Sequence, residues 1–142
     1  MKLNKKGLLS GIAAGAAVLM LASCSGGGAA EGGDGGGDTI KIGVLATDTG
    51  NLAFGMDEAK AAIGVAMEKR GGTAEGGEVA GKKIEFVYAG TDGTTASAQT
   101  QVKKLVENDG VDIVYGPSSG DEGETVVQYA KGVPEVTFVN GA

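Results

Sequence analysis

From Ile40 to Val139 the chain alternates short strand-like runs with helical patterns, and this alternation restricts the fold more than any other feature. Ile40–Ala46, Ile84–Ala89, Val111–Tyr115 and Val136–Val139 read as strands, the third of them buried, because each is a brief, largely apolar run bounded by turn residues. Between the first two lies a helical pattern from about Gly55 to Arg70. Its Ala59, Ala62, Ile63, Ala66 and Met67 fall at i, i+3, i+4, i+7 and i+8, one face of a helix. A second helix is predicted from a Thr94 or Thr95 cap to about Asn108, with Ala98, Val102, Leu105 and Val106 inward and Gly110 ending it. A third is predicted over Glu122–Lys131, with Val126, Val127 and Ala130 inward. Gly71–Gly81, with five glycines, reads as a surface loop or hairpin. The order β-α-β-α-β-α-β predicts an α/β fold: a parallel sheet with flanking helices and right-handed crossovers.

In such a sheet the loops that leave the strands gather on one edge, where ligands bind. These loops are Thr47–Asn51, Gly90–Gly93, Gly116–Gly120 and Asn140–Ala142. They are rich in Gly, Ser, Thr and Asn, so they form a polar rim with free backbone N–H groups. Helix N-termini behind the rim favour an anionic group such as a carboxylate. Val111–Gly120 stands out, because a strand there runs through Gly116-Pro117 into Ser118-Ser119-Gly120. Gly116-Pro117-Ser118-Ser119-Gly120 matches the G-x-S-x-G pattern of a hydrolase nucleophile elbow. A serine nucleophile needs a base, however, and the chain contains no histidine. The nearest lysine is Lys131, which the sequence does not place against Ser118. Ser118 and Ser119 therefore read as helix caps, as hydrogen-bonding groups for a ligand, or as both. An enzyme using Ser118 stays the alternative to a binding protein.

Charge and cysteine count narrow the function further. The whole chain carries 12 basic and 18 acidic residues, a net charge of −6. Without Lys2, Lys5 and Lys6, 9 basic residues face the same 18 acidic ones, a net −9. A body this acidic is a poor partner for nucleic acid. One cysteine excludes an intrachain disulfide and a cysteine zinc site, and no cofactor or metal is expected.

The N-terminus reads as a leader. Three lysines precede Gly7–Leu21, which is apolar apart from Ser10 and short for a membrane span. Leu21-Ala22-Ser23-Cys24 resembles a bacterial lipobox, which implies residues 1–23 as a lipoprotein signal peptide and Cys24 as the lipidation site. In residues 24–38, eight of the 14 residues from Ser25 to Asp38 are glycine, so the segment reads as a flexible tether. Gly32–Asp38 holds one imperfect copy of a calcium-binding repeat pattern; a lone copy has no neighbour to stack on and argues against calcium.

Residues 39–142 resemble the N-terminal lobe of type I solute-binding proteins, the branched-chain amino acid or leucine-binding family of ABC importers. The resemblance rests on Ile40-Lys41-Ile42-Gly43-Val44 with Thr49-Gly50, on Gly81–Glu85, and on Asp92 with the Ala98–Asp109 helix. Its most specific pieces are Gly116-Pro117, Gly120-Asp121-Glu122-Gly123, Pro134 and Phe138-Val139-Asn140-Gly141. It implies a Rossmann-like lobe, an extracytoplasmic location on a bacterial cell membrane, and a monomeric receptor. Such a receptor delivers a branched-chain amino acid, or a related small amino acid or amide, to an ABC permease. It also implies ligand contacts from Ser118, Ser119, Asn140, Gly141 and Ala142, and from Phe54 as an aromatic over the ligand; Phe54 reads equally well as a core anchor. Family members are more than twice this long. The chain is therefore expected to be an incomplete piece that lacks the second lobe. A sensory receptor fragment uncoupled from transport is a further alternative.

Overall fold

A computed structural model describes residues 39–141. The leader, the tether, Cys24 and Ala142 lie outside the described residues. β1 (Thr39–Thr47) is the central strand. β3 (Lys82–Thr91) pairs with it in parallel on one side and β4 (Ile113–Tyr115) on the other. β5 (Thr137–Val139) runs parallel to β4, and β2 (Gly76–Val79) is antiparallel to β3, giving the order β2-β3-β1-β4-β5. The helices are α1 (Phe54–Glu68), α2 (Thr95–Lys103) and α3 (Gly120–Ala130). A π-helical turn, Lys104–Asn108, continues α2. The glycine-rich Gly71–Gly81 stretch is indeed a hairpin, and its second half supplies β2.

The strand order decides which face each helix covers. The step from β1 to β3 goes one way across the sheet; the steps from β3 to β4 and from β4 to β5 go the other way. Right-handed crossovers then put α1 on one face and α2 with α3 on the opposite face. The second face carries the main core: Leu45, Ala89, Val102, Leu105, Val111, Val114 and Val126, all buried. Val87, Val106, Tyr129, Val136 and Phe138 pack around it. The side chains alternate along each strand, so Leu45 points into this core while its neighbour Val44 faces the α1 side. Leu105 lies so close to β1 that a Cβ on Gly43 would sit 3.0 Å from its Cδ1.

Local chemistry fixes the element ends. The Thr94 hydroxyl accepts the Ser97 N–H at 3.2 Å, the predicted cap of α2. Gly110, at φ 63°, ends the π-helical turn, and the chain re-enters the core at Val111. Lys41 N–H then donates to the Asp112 carboxylate at 2.8 Å, and Asp112 N–H donates to the Lys41 carbonyl at 2.9 Å, which sets the β1–β4 register.

Three burial expectations are corrected. Tyr115 is 48% exposed, because it lines the open cavity beside α1 and is not packed under a helix. Val127 is 42% exposed, because only the Val126 side of α3 meets the sheet. In α1, Met56 and Met67 are buried and Ala59 and Ile63 half-buried, while Ala62 and Ala66 are exposed. The buried stripe is therefore narrower than the sequence period suggests.

Tyr129 closes the core over Phe138 and donates from its hydroxyl to Glu107 at 3.1 Å. Burial, then the hydrogen bond to Glu107, pushes its phenol from 10.0 up to about 12. A proton held more tightly in the fold adds stability that is complete below about pH 10 and lost as pH rises toward about 12. Urea midpoints measured from pH 9 to 12 are expected to fall over this window. The fall should be shallower in Tyr129→Phe, and equal slopes in the two proteins would refute the linkage.

Candidate functional site

The strand exits converge on one edge, as expected for a parallel sheet. Thr47 ends β1 and Thr91 ends β3, paired in register. Gly116–Ser119 leads from β4 into α3, and Asn140 and Gly141 follow β5. The Gly116–Pro117 peptide is cis, and Gly116 takes φ +96°. Gly116 N–H donates to the Val139 carbonyl at 3.0 Å, so the loops after β4 and β5 are tied together. A Cβ on Gly116 would strike the Leu45 carbonyl oxygen, so only glycine lets this loop pass so close to β1.

A cavity of about 370 Å³ opens beside this edge, and it brings Phe54, Ser118 and Ser119 together. Phe54 is the first residue of α1 and is 55% exposed. It is not the core anchor that the sequence left open. Thr47, Leu52, Glu58, Ala62 and Tyr115 add to the wall. Asn140 is not part of this lining. It sits on the adjoining exit loop, where a Cβ on Gly141 would lie 3.4 Å from the Pro117 carbonyl.

The capping expectation for the serines is corrected. Ser119 occupies the N-cap of α3 with extended backbone, but its side chain makes no capping bond. Its carbonyl accepts the Gly123 N–H at 2.8 Å instead. Asp121 and Glu122 in the first turn compensate the helix dipole in place of a hydroxyl cap. Neither Ser118 nor Ser119 donates or accepts through its hydroxyl among the described residues. Lys131 Nζ instead donates to Gln128 Oε1 at 2.8 Å, at the far end of α3 from Ser118. At 1.5 Å per residue the 11-residue helix separates them by roughly 16 Å. Lys131 is therefore out of reach of Ser118.

Beneath the rim lies a polar cluster that the sequence did not reveal. Glu122 is fully buried; its Oε2 accepts from Thr47 Oγ1 at 3.5 Å, and its Oε1 has no partner among the described residues. Thr91 Oγ1 donates to Thr47 Oγ1 at 3.4 Å. The only hint in the sequence was the position of Glu122, one helical turn before the buried Val126.

The rim is acidic. The Asp48 carboxylate lies over Gly90, where a side chain would collide with it. Asp92 accepts from the Thr94 hydroxyl at 2.7 Å and from the Thr94 N–H at 2.9 Å, and these bonds hold its carboxyl below the usual range. Glu58 is the single charged residue lining the cavity. The wall thus offers hydroxyls from Thr47, Ser118 and Ser119, an apolar side from Leu52, Phe54, Ala62 and Tyr115, and one carboxylate. That combination suits a small amphiphile better than a bare anion. Among the described residues no group of three or more His, Cys, Asp or Glu is placed to hold a metal ion. No helix among them is long and apolar enough to cross a membrane.

Comparison with known proteins gives one family. The periplasmic binding protein profile matches residues 39–140. No curated protein sequence matches the chain. Among solved structures, the chain is similar to a solute-binding protein of an ABC transporter from Rhodopseudomonas palustris BisB5, in complex with 3,4-dihydroxybenzoic acid. That match has a TM-score of 0.62 and 25% identity, over 73% of this chain and 27% of the other. It is also similar to the branched-chain amino acid transporter substrate-binding protein LivJ of Streptococcus pneumoniae, in complex with isoleucine. Here the TM-score is 0.58 and the identity 28%, over 72% of this chain and 28% of the other. A leucine-binding protein, LivK, from Thermotoga maritima shares the fold at 21% identity and a TM-score of 0.59, over 71% of this chain and 27% of the other. The chain therefore spans about a quarter of the length of the solved proteins it matches.

Proposed function

The chain belongs to the periplasmic binding protein family, and from that premise we propose that its rim is one wall of a solute cleft serving an ABC importer. The observation that carries this reading is the single cavity wall formed by Phe54, Ser118 and Ser119 at the strand exits. Ser118 and Ser119 hydroxyls and the loop N–H groups would take a carboxylate. Phe54, Leu52 and Tyr115 would cover an apolar body, and Glu58 would accept from an ammonium. Asn140, Gly141 and Ala142 would close the cleft from the loop after β5. An α-amino acid satisfies all three demands; a hydroxybenzoate, as in the R. palustris complex, satisfies two, and a related amide meets them only in part. Residues 1–23 would direct export and Cys24 would carry the lipid that holds the receptor at the membrane beside its permease.

One wall alone binds weakly, so the test is made at millimolar solute. Isoleucine is expected to shift the backbone amide signals of Thr47, Ser118 and Ser119 in two-dimensional NMR, with a Kd of about 1 mM or weaker. Ser118→Ala is expected to weaken binding by about ten-fold, equal to about 1.4 kcal/mol. Isoleucine and 4-hydroxybenzoate both leaving those amides unmoved would count against the reading.

A further inference from the structure

Charge is sorted along the strand axis. The parallel strands run toward the rim and the helices run back from it, so strand ends and helix starts share one edge. At that edge Asp48 and Asp92 stand in the exit loops, Asp57 and Glu58 at the start of α1, and Asp121 and Glu122 in the first turn of α3. The bases lie at the other edge. Lys41, Lys82 and Lys83 stand at strand starts, and Lys69, Arg70, Lys103, Lys104 and Lys131 at or just past helix ends. Lys60, in the second turn of α1, is the remaining base among the described residues. Its Nζ lies 5.2 Å from the centroid of the Tyr88 ring, which is not part of the cavity wall.

Helix dipoles explain part of this sorting, since carboxylates suit helix starts and cations suit helix ends. They do not cancel it. Three helix N-termini bring about half a positive charge each, so the carboxylates leave the edge roughly four formal charges negative. Two of them act directly on the cavity. Glu58 stands in its wall, and among the described residues no Lys or Arg does. Glu122 is fully buried behind Thr47, another wall residue, and its Oε1 has no partner among the described residues. Water screens a charge in such surroundings poorly, so its field reaches the cavity. The two aromatic rings in the wall, Phe54 and Tyr115, are about half exposed and add the π faces that attract an organic cation.

We propose that this wall takes its solute as an organic cation of net positive charge, such as an amino acid amide. The proposal rests on reading the rim as one wall of a solute cleft. The ammonium is held by Glu58 with Phe54 and Tyr115 beside it, and a neutral carbonyl end meets Ser118 and Ser119. Their hydroxyls donate to an amide oxygen as they do to a carboxylate. A carboxylate accepts stronger hydrogen bonds, but it brings a negative charge to an edge already crowded with them. A zwitterion therefore loses at one end part of what it gains at the other. An anion without an ammonium has no gain from Glu58 to set against the repulsion.

Isoleucinamide, isoleucine and 3-methylpentanoate test this, because at about pH 6 they carry one apolar body as a cation, a zwitterion and an anion. Titrations followed at the Ser118 and Ser119 amides by two-dimensional NMR are expected to rank them in that order. At low salt isoleucinamide should bind about three-fold tighter than isoleucine, and 3-methylpentanoate about ten-fold weaker than isoleucine. Raising salt from about 0.02 to about 0.5 M shortens the screening length from about 20 to about 4 Å, so the spread should shrink several-fold. Glu58→Gln is expected to weaken isoleucinamide about ten-fold. Glu135→Gln, an exposed carboxylate at the far edge, should leave the ranking as it is. If none of the three moves the Ser118 and Ser119 amides, the cleft reading falls and this inference with it. If they move, but 3-methylpentanoate binds as tightly as isoleucinamide or the ranking survives Glu58→Gln unchanged, the cleft stands and its preference for a cation is overturned.

Discussion

Gly116→Ala is expected to cost the fold about 3 kcal/mol or more, one of the two largest effects of any single change proposed for this chain. Two penalties combine there. A residue with a Cβ at φ +96° costs about 1–2 kcal/mol from backbone sterics alone. The new methyl group would also meet the Leu45 carbonyl in the centre of the sheet, and backbone cannot swing aside as a flexible side chain can. The relief available is to move the loop away from β1, which would break the Gly116 N–H bond to Val139 and loosen β5. Urea unfolding of wild type and variant checks this. A loss under about 1 kcal/mol would mean the loop has another route past β1.

The second large effect is at Leu105, fully buried on the π-helical turn. Leu105→Ala is expected to cost about 3–5 kcal/mol, because tightly packed neighbours collapse little into the cavity. Its contact with Gly43 makes the test sharper. Gly43→Ala alone crowds the Leu105 side chain at 3.0 Å and is expected to cost about 1–3 kcal/mol. In the Leu105→Ala background the same methyl group enters empty space, so most of that cost should vanish. A double-mutant cycle reads the difference directly. Strictly additive losses would show that Gly43 and Leu105 do not compete for the same volume.

Much of the fold was legible because its punctuation is local. Gly110, Gly116-Pro117 and Thr94 mark element ends by backbone chemistry that acts within a few residues, and each stands where the structure turns. The strand count was less legible. β2 begins with Gly76-Gly77, which carries no β-forming side chain, and it exists because β3 offers it an edge to pair with. Burial failed where it depends on the other side of the sheet. Tyr115 and Val114 look alike in the three-residue apolar run Ile113-Val114-Tyr115, but one face of β4 has helices and the other does not. The site shows the same division. Ser118 and Ser119 were legible because strand exits share an edge whatever the side chains are, whereas Phe54 was offered by the family resemblance alone. Tyr115 and Ala62 were not, since a cavity wall and a core face have the same period. Glu122 was hidden for another reason: a carboxylate in the first turn of a helix is ordinarily solvated, and nothing local reports that it is sealed beneath Thr47.

The position of β1 in the middle of the sheet has a consequence for synthesis. Among the described residues β1 is the first strand to leave the ribosome, yet both of its partners, β3 and β4, are encoded later. The single strand pair joined by a tight turn is β2 with β3, so that hairpin closes with the smallest loop entropy. The earliest of these strands thus keeps one edge open until β4 arrives. Until then its apolar face and free N–H groups are open to other nascent chains, which makes the interval between β1 and β4 the period when the growing polypeptide is most prone to associate with its neighbours.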